Sequence, residues 1–292
     1  MADNWIRIAS EELAAAINPF GAELSSLTDA EGRELMTDAD PAFWSGRAPL
    51  LFPIVGRLMD DRYRLDGKDY ALPQHGFARK QDFALVEQAP DRVVLRLVDN
   101  DATRAVYPFA FALDAAFSLS GATLSMDIKV INSGDVDMPA SFGFHPAFAW
   151  PLPYGAAKEE HQITFADGEP GQLAAIVKGG WMDEEGWESP VDGRVLELYD
   201  ELFERDALVW NPVRSQSLVY GALGGPKLAC DFPDTPALGL WMKPGANYLC
   251  IEPWHGIADP YGFTGEIWDK PLMQRYAPGQ SRTFTMRVTL RD

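Results

Sequence analysis

The sequence predicts an all-β protein, a large antiparallel or mixed sandwich, on three observations. Apolar and polar residues alternate with a period of two in residues 93–98 (VVLRLV), 123–131 (TLSMDIKVI) and 284–290 (FTMRVTL), the pattern of strands that bury one face. The 22 prolines and 25 glycines are spread along the whole chain, which divides it into many short elements. Long helical periodicity is absent, and one domain is expected over residues 1–292, since no linker or internal repeat interrupts the chain.

Taken in order, residues 10–20 (SEELAAAINPF) begin with a Ser that suits a helix cap. Asn18-Pro19 should then stop the helix after about two or three turns. Residues 65–68 (LDGK) and 131–135 (INSGD) carry Gly with Asp or Asn and predict hairpin turns. A loop and a short strand are expected in residues 151–171, and an exposed acidic crossing in 179–193 (GGWMDEEGWESPVDG). In residues 284–290, Phe284, Met286, Val288 and Leu290 should face the core, with Thr285, Arg287 and Thr289 toward solvent.

The formal net charge is −18, so the average field opposes nucleic acid and anionic membrane surfaces as partners. The start of the chain lacks a basic, apolar leader, and no run reaches about 18 uninterrupted apolar residues. A cytoplasmic location is the expectation. Cys230 and Cys250 fall in no CxxC pattern and are expected to be free, buried thiols. Dinucleotide, phosphate-loop and zinc-peptidase motifs are missing, so no cofactor and no metal are expected.

Ionisable residues stand among aromatic, Gly and Pro residues in LFPIVGR, ending at Arg57, in HGFAR from His75 to Arg79, in FGFHPAF around His145, and in CIEPWHGIADP around Glu252. Such mixtures suit a cleft in which apolar faces seat a ring and a few polar groups bind its hydroxyls. An imidazolium at His145 can donate a proton near neutral pH, and a carboxylate at Glu252 can accept one. Burial offers each an alternative use, as a hydrogen-bonded core histidine or a turn carboxylate. His75 fits either a substrate contact or a tight turn. Arg57 and Arg79 suit hydroxyls, a carboxylate or a phosphate, or else an ion pair. Asp206 can accept from hydroxyls or satisfy its own loop, and Trp254, between Pro253 and His255, is the best aromatic wall among Trp150, Trp210, Trp241, Trp254 and Trp268. His255 and His161 are expected to serve packing.

These stretches, together with TRAVYPFAF, ERDALVW and KLACDFPDTPALGLWMKPG, occur in an order that strongly resembles the aldose 1-epimerase (galactose mutarotase-like) superfamily, especially its LacX-type and YeaD-like branch. The likeness runs from Ile17 to Leu290. It implies the galactose-mutarotase β supersandwich and interconversion of the α and β anomers of an aldose. It implies His75 and His145 as active-site histidines, Glu252 as catalytic base, Arg57 and Asp206 as substrate-binding, and Arg79 as a further hydroxyl or anion contact. HPAFAW and IEPWHG stand where the family more often has HPYFN and LETQ; they keep the acid and base and leave the sugar open. The partner implied is a small sugar or sugar phosphate. Hexose-6-phosphate mutarotation, or carbohydrate binding without catalysis, are the competing functions.

Overall fold

In the computed structural model, which describes residues 4–183 and 185–292, the alternating stretches are all strands of one nine-stranded antiparallel sheet. Its order is Val195–Glu197, His161–Phe165, Ser217–Ala222, Lys227–Asp231, Ser281–Arg291, Thr123–Asn132, Phe111–Ser120, Arg92–Val98 and Ala84–Ala89. Phe284, Met286 and Val288 are buried as the alternation requires, while Arg287 is exposed. A second, five-stranded antiparallel sheet holds Tyr248–His255, paired on one side with Phe142–Gly143 and Ala147–Ala149, and on the other with Ala237–Trp241, which pairs in turn with Leu208–Trp210. The two sheets meet through aromatic rings: Phe142 of the smaller sheet stacks on Phe284 of the larger, centroids 5.0 Å apart. A buried cluster runs through both sheets, and a small satellite gathers around Val55, Val209 and Trp254.

Two local expectations are corrected. Residues 10–20 form no helix; Leu13–Asn18 is a strand between Ile6–Ala9 and Glu23–Asp29. Ser10 Oγ accepts the Glu12 and Leu13 amides in a local turn, and pairing on both sides with Leu13, Ala15 and Ile17 buried overrides the helix propensity of the alanines. The one α-helix among the described residues is Asp101–Val106, capped reciprocally by Asn100 and Thr103. The turn at 131–135 closes no hairpin, because the next strand, Met138–Ala140, pairs with distant Gln274–Tyr276. By contrast 65–68 does close one, with Asp66 and Gly67 both at positive φ (51° and 75°) between Leu65 and Lys68. No described helix is long and apolar enough to cross a membrane.

Candidate active site

Tyr248–His255 is buried along its whole length, so any polar side chain in it must find its partner inside the protein. Its register with the neighbouring chain, Gly143 opposite Trp254 and Ala147 opposite Cys250, puts His145 directly across from Glu252. Pro146 and Pro253 flank this point, and the ladder is carried past it by Phe144 N–H donating to the Pro253 carbonyl (3.0 Å) and Ile251 N–H to the Pro146 carbonyl (3.1 Å). Directly opposed residues in antiparallel strands project to one face. His145 Nε2 therefore lies 3.1 Å from Glu252 Oε2, at an angle too oblique for a hydrogen bond, and Oε2 and His145 Nδ1 have no other protein partner.

The pair forms the floor of a cavity of about 290 Å³, near the lower end of the roughly 300–1,000 Å³ usual for small-ligand sites and suited to a single sugar ring. His75 and Arg79 stand on one side of it and Asp206 on another, while Trp254 supplies a wall. The Trp254 indole reaches this place because Gly143 and Gly239, on the strands either side, leave room for it: a Cβ at either would fall 2.8 Å from the ring.

His75 lines the cavity from a tight turn. Its φ is 64°; its amide donates to the Gly56 carbonyl at 2.9 Å, and the Gly56 amide donates back to its Nδ1 at 3.1 Å. An accepting Nδ1 fixes the neutral tautomer with the proton on Nε2, which leaves Nε2–H as a hydrogen-bond donor. Burial, helped by His145 and Arg79, holds its pKa well below the ordinary histidine value.

Burial dominates the other titrations as well. It lowers His145 to about 3, with the Arg79 charge adding to the effect, and pushes Glu252 well above the usual carboxylate range, with the Asp206 charge adding again. The Trp254 N–H opposes the rise in Glu252 but makes no hydrogen bond of good geometry. Both shifts act in one direction, favouring a proton on Glu252 over one on His145. Arg79 is half-buried: its Nη2 donates to the Gln74 carbonyl at 2.8 Å, its Nε is buried without a partner, and no carboxylate pairs with it among the described residues.

Six of the seven residues singled out in the sequence therefore line one cavity: Glu252, His145, His75, Arg79, Asp206 and Trp254. Arg57 does not; its guanidinium is bound to Asp61 and to the Gly179 carbonyl, facing an adjoining open trough. Sequence reasoning missed Trp44, whose ring lies over His145 with centroids 4.9 Å apart, and the wall made by Ile176, Gly180 and Met182. His255 and His161 are packing residues. His255 lies 4.5 Å from the Phe284 ring, and His161 accepts from the Leu152 amide and faces the Ala157 carbonyl.

Cys250, one side chain along the strand, brings its sulfur within 4.8 Å of the His145 and Glu252 donor atoms. Burial raises its thiol well above the ordinary value, and a protonated thiol is a poor metal donor. A smaller cavity of about 180 Å³ borders the buried Lys270–Asp259 pair (2.7 Å), where the charges satisfy each other.

Comparison with known proteins agrees with this architecture. The aldose 1-epimerase family profile matches residues 5–272. The chromosomal and plasmid LacX proteins of Lactococcus lactis subsp. lactis are each 29% identical over 295 residues, covering 98% of this chain and 99% of theirs. Among solved structures, a galactose mutarotase related enzyme from Lactobacillus acidophilus superimposes with a TM-score of 0.91 at 32% identity, covering 99% of this chain and 97% of that one. A galactose mutarotase-like protein from Lactobacillus casei gives 0.93 at 27% identity, covering 99% and 100%. With two packed antiparallel sheets, a cavity for one ring and a match over nearly its full length, this chain belongs to the aldose 1-epimerase family, in its LacX/YeaD-like branch.

Proposed function

We propose that this protein is a mutarotase, interconverting the α and β anomers of an aldohexose. The observation that carries the reading is the His145–Glu252 pair, 3.1 Å apart on the floor of a cavity for one sugar ring. Between them the two groups hold one proton. With that proton moved to His145, the Glu252 carboxylate takes the proton of the anomeric hydroxyl while His145 protonates the ring oxygen, whose bond to the anomeric carbon breaks. The open-chain aldehyde rotates, presents its other face to the ring-closing hydroxyl, and the same transfers in reverse close the other anomer. No net proton is consumed. His75 Nε2–H donates to the sugar, Asp206 accepts from a hydroxyl, and the Trp254 and Trp44 rings seat its apolar face. The reading includes a cytoplasmic location, in keeping with two unpaired, buried cysteines.

Freshly dissolved α-glucose and α-galactose followed by polarimetry provide the test. Rotation is expected to relax faster than in buffer with wild type, and at the buffer rate with His145→Asn at matched folding. Sugar binding without acceleration would replace catalysis by a carbohydrate-binding role.

One observation favours a second reading, a hexose 6-phosphate as substrate: Arg79 lines the cavity with its Nε buried and unbonded and, among the described residues, with no carboxylate in ion-pair contact, and phosphate suits such a donor. Exchange NMR on glucose 6-phosphate should then show a lower KM than glucose. Arg79→Met should raise the phosphate's KM by roughly tenfold or more, the scale of a lost charge-assisted contact, and leave that of glucose nearly unchanged. Equal effects on both sugars would discard this reading.

A further inference from the structure

We propose that Arg57 is a positioning residue that ties down the hairpin forming one wall of the cavity, and that it makes no contact with the sugar. Three of its five N–H donors are committed away from the cavity. Nε and Nη2 fork onto the two Asp61 oxygens at 2.9 and 3.0 Å, and Nη1 donates to the Gly179 carbonyl at 2.9 Å. The guanidinium lies 5.1 Å from the centre of the Trp181 ring, and the Trp181 indole N–H donates to the Leu58 carbonyl at 3.0 Å. To turn into the cavity, whose lining does not include it, this side chain would have to break a bidentate, charge-assisted pair.

What these bonds hold is a weak element. Ile176–Val177 and Trp181–Met182 pair over only two residues each, with Gly179 and Gly180 at φ of 116° and 88° in the turn between them. So short a ribbon has little stability of its own. Ile176, Gly180 and Met182 nevertheless face the cavity, and Met182 packs into the satellite cluster with Ala207, Val209 and Trp254. The Met182 amide donates to the Asp259 carbonyl, and the Asp259 amide to the Arg57 carbonyl, both at 2.9 Å. The wall is thus fastened at its turn by the Arg57 side chain and at its second strand, through Asp259, by the Arg57 backbone.

The kinetic part of the test rests on the mutarotase reading; the structural part does not. Hydrogen exchange is measured on peptides covering residues 172–182 in wild type, Arg57→Lys and Asp61→Asn. Asp61 lies outside the cavity, and Lys keeps the charge without the fork. Both variants should speed exchange there several-fold and leave the strand Tyr248–His255 unchanged. Both should also raise KM by roughly three- to tenfold with kcat within about twofold, by the same factor for glucose and its 2-, 3-, 4- and 6-deoxy derivatives. Unchanged exchange in the two variants overturns the proposal. So does a KM effect of Arg57→Lys that vanishes for one deoxy sugar while Asp61→Asn is silent, because Arg57 would then touch that hydroxyl. If wild type accelerates no sugar, the mutarotase reading fails, and the exchange result alone decides this inference.

Discussion

Glu252→Gln is expected to abolish catalysed anomer exchange, a loss of about 10²–10⁴-fold for a missing proton acceptor, and at the same time to stabilise the fold in alkali. The side chain is 1% exposed, burial raises its pKa well above the ordinary value, and Oε2 has no hydrogen bond. A carboxyl whose folded pKa exceeds its unfolded one contributes stability below the unfolded value and loses it as pH rises through the folded value. Glutamine, of the same shape and always neutral, escapes that loss. Calorimetry at about pH 5 and about pH 9 should show the variant melting near wild type in acid and above it in alkali; a variant less stable at both would remove burial of the charge as the governing effect. The same titrations bound activity. The singly protonated pair persists from about 3, where His145 takes a second proton, up to the raised pKa of Glu252, and kcat/KM should fall above the latter.

Phe142→Ala should cost about 3–5 kcal/mol, the range for removing a fully buried phenyl ring. Phe142 is 0% exposed, stacks on Phe284 of the opposite sheet and meets Phe144 edge-on at 4.9 Å. The ring therefore joins the layers beside the strand that carries His145, and its loss should loosen that strand as well. Urea unfolding would measure the cost, and kcat of the fraction still folded should drop. A cost under about 1 kcal/mol would mean that the site repacks and that this contact does not hold the sheets together.

Strands with one wet face were legible because burial of alternate side chains writes itself into the chain, as at Phe284, Met286 and Val288. Leu13–Asn18 was not, since three consecutive alanines read as helix until strands on both sides claim their amides. The cavity lining was legible where ionisable side chains interrupt aromatic stretches, as at His75, His145 and Glu252. Trp44 carried no such mark: its role follows from a loop that folds over His145. Residues 179–193 looked like an acidic, exposed crossing because their carboxylates dominate the composition, whereas Gly180 and Met182 are what face the cavity. Arg57 showed the reverse. Its motif suggested a ligand contact, and only the fold reveals that Asp61, four residues on, already occupies it.

His145 sits between Phe142–Gly143 and Ala147–Ala149, opposite Glu252 on the neighbouring strand, whereas Ile176, Gly180 and Met182 come from a hairpin that, among the described residues, shares no ladder with those strands. The pair proposed to react and one wall of the cavity are thereby housed in separate modules. A shorter, longer or transplanted hairpin can change which molecules are admitted while the reacting groups keep their spacing, so an engineer seeking a new preference has one replaceable segment to vary and one pair to leave alone.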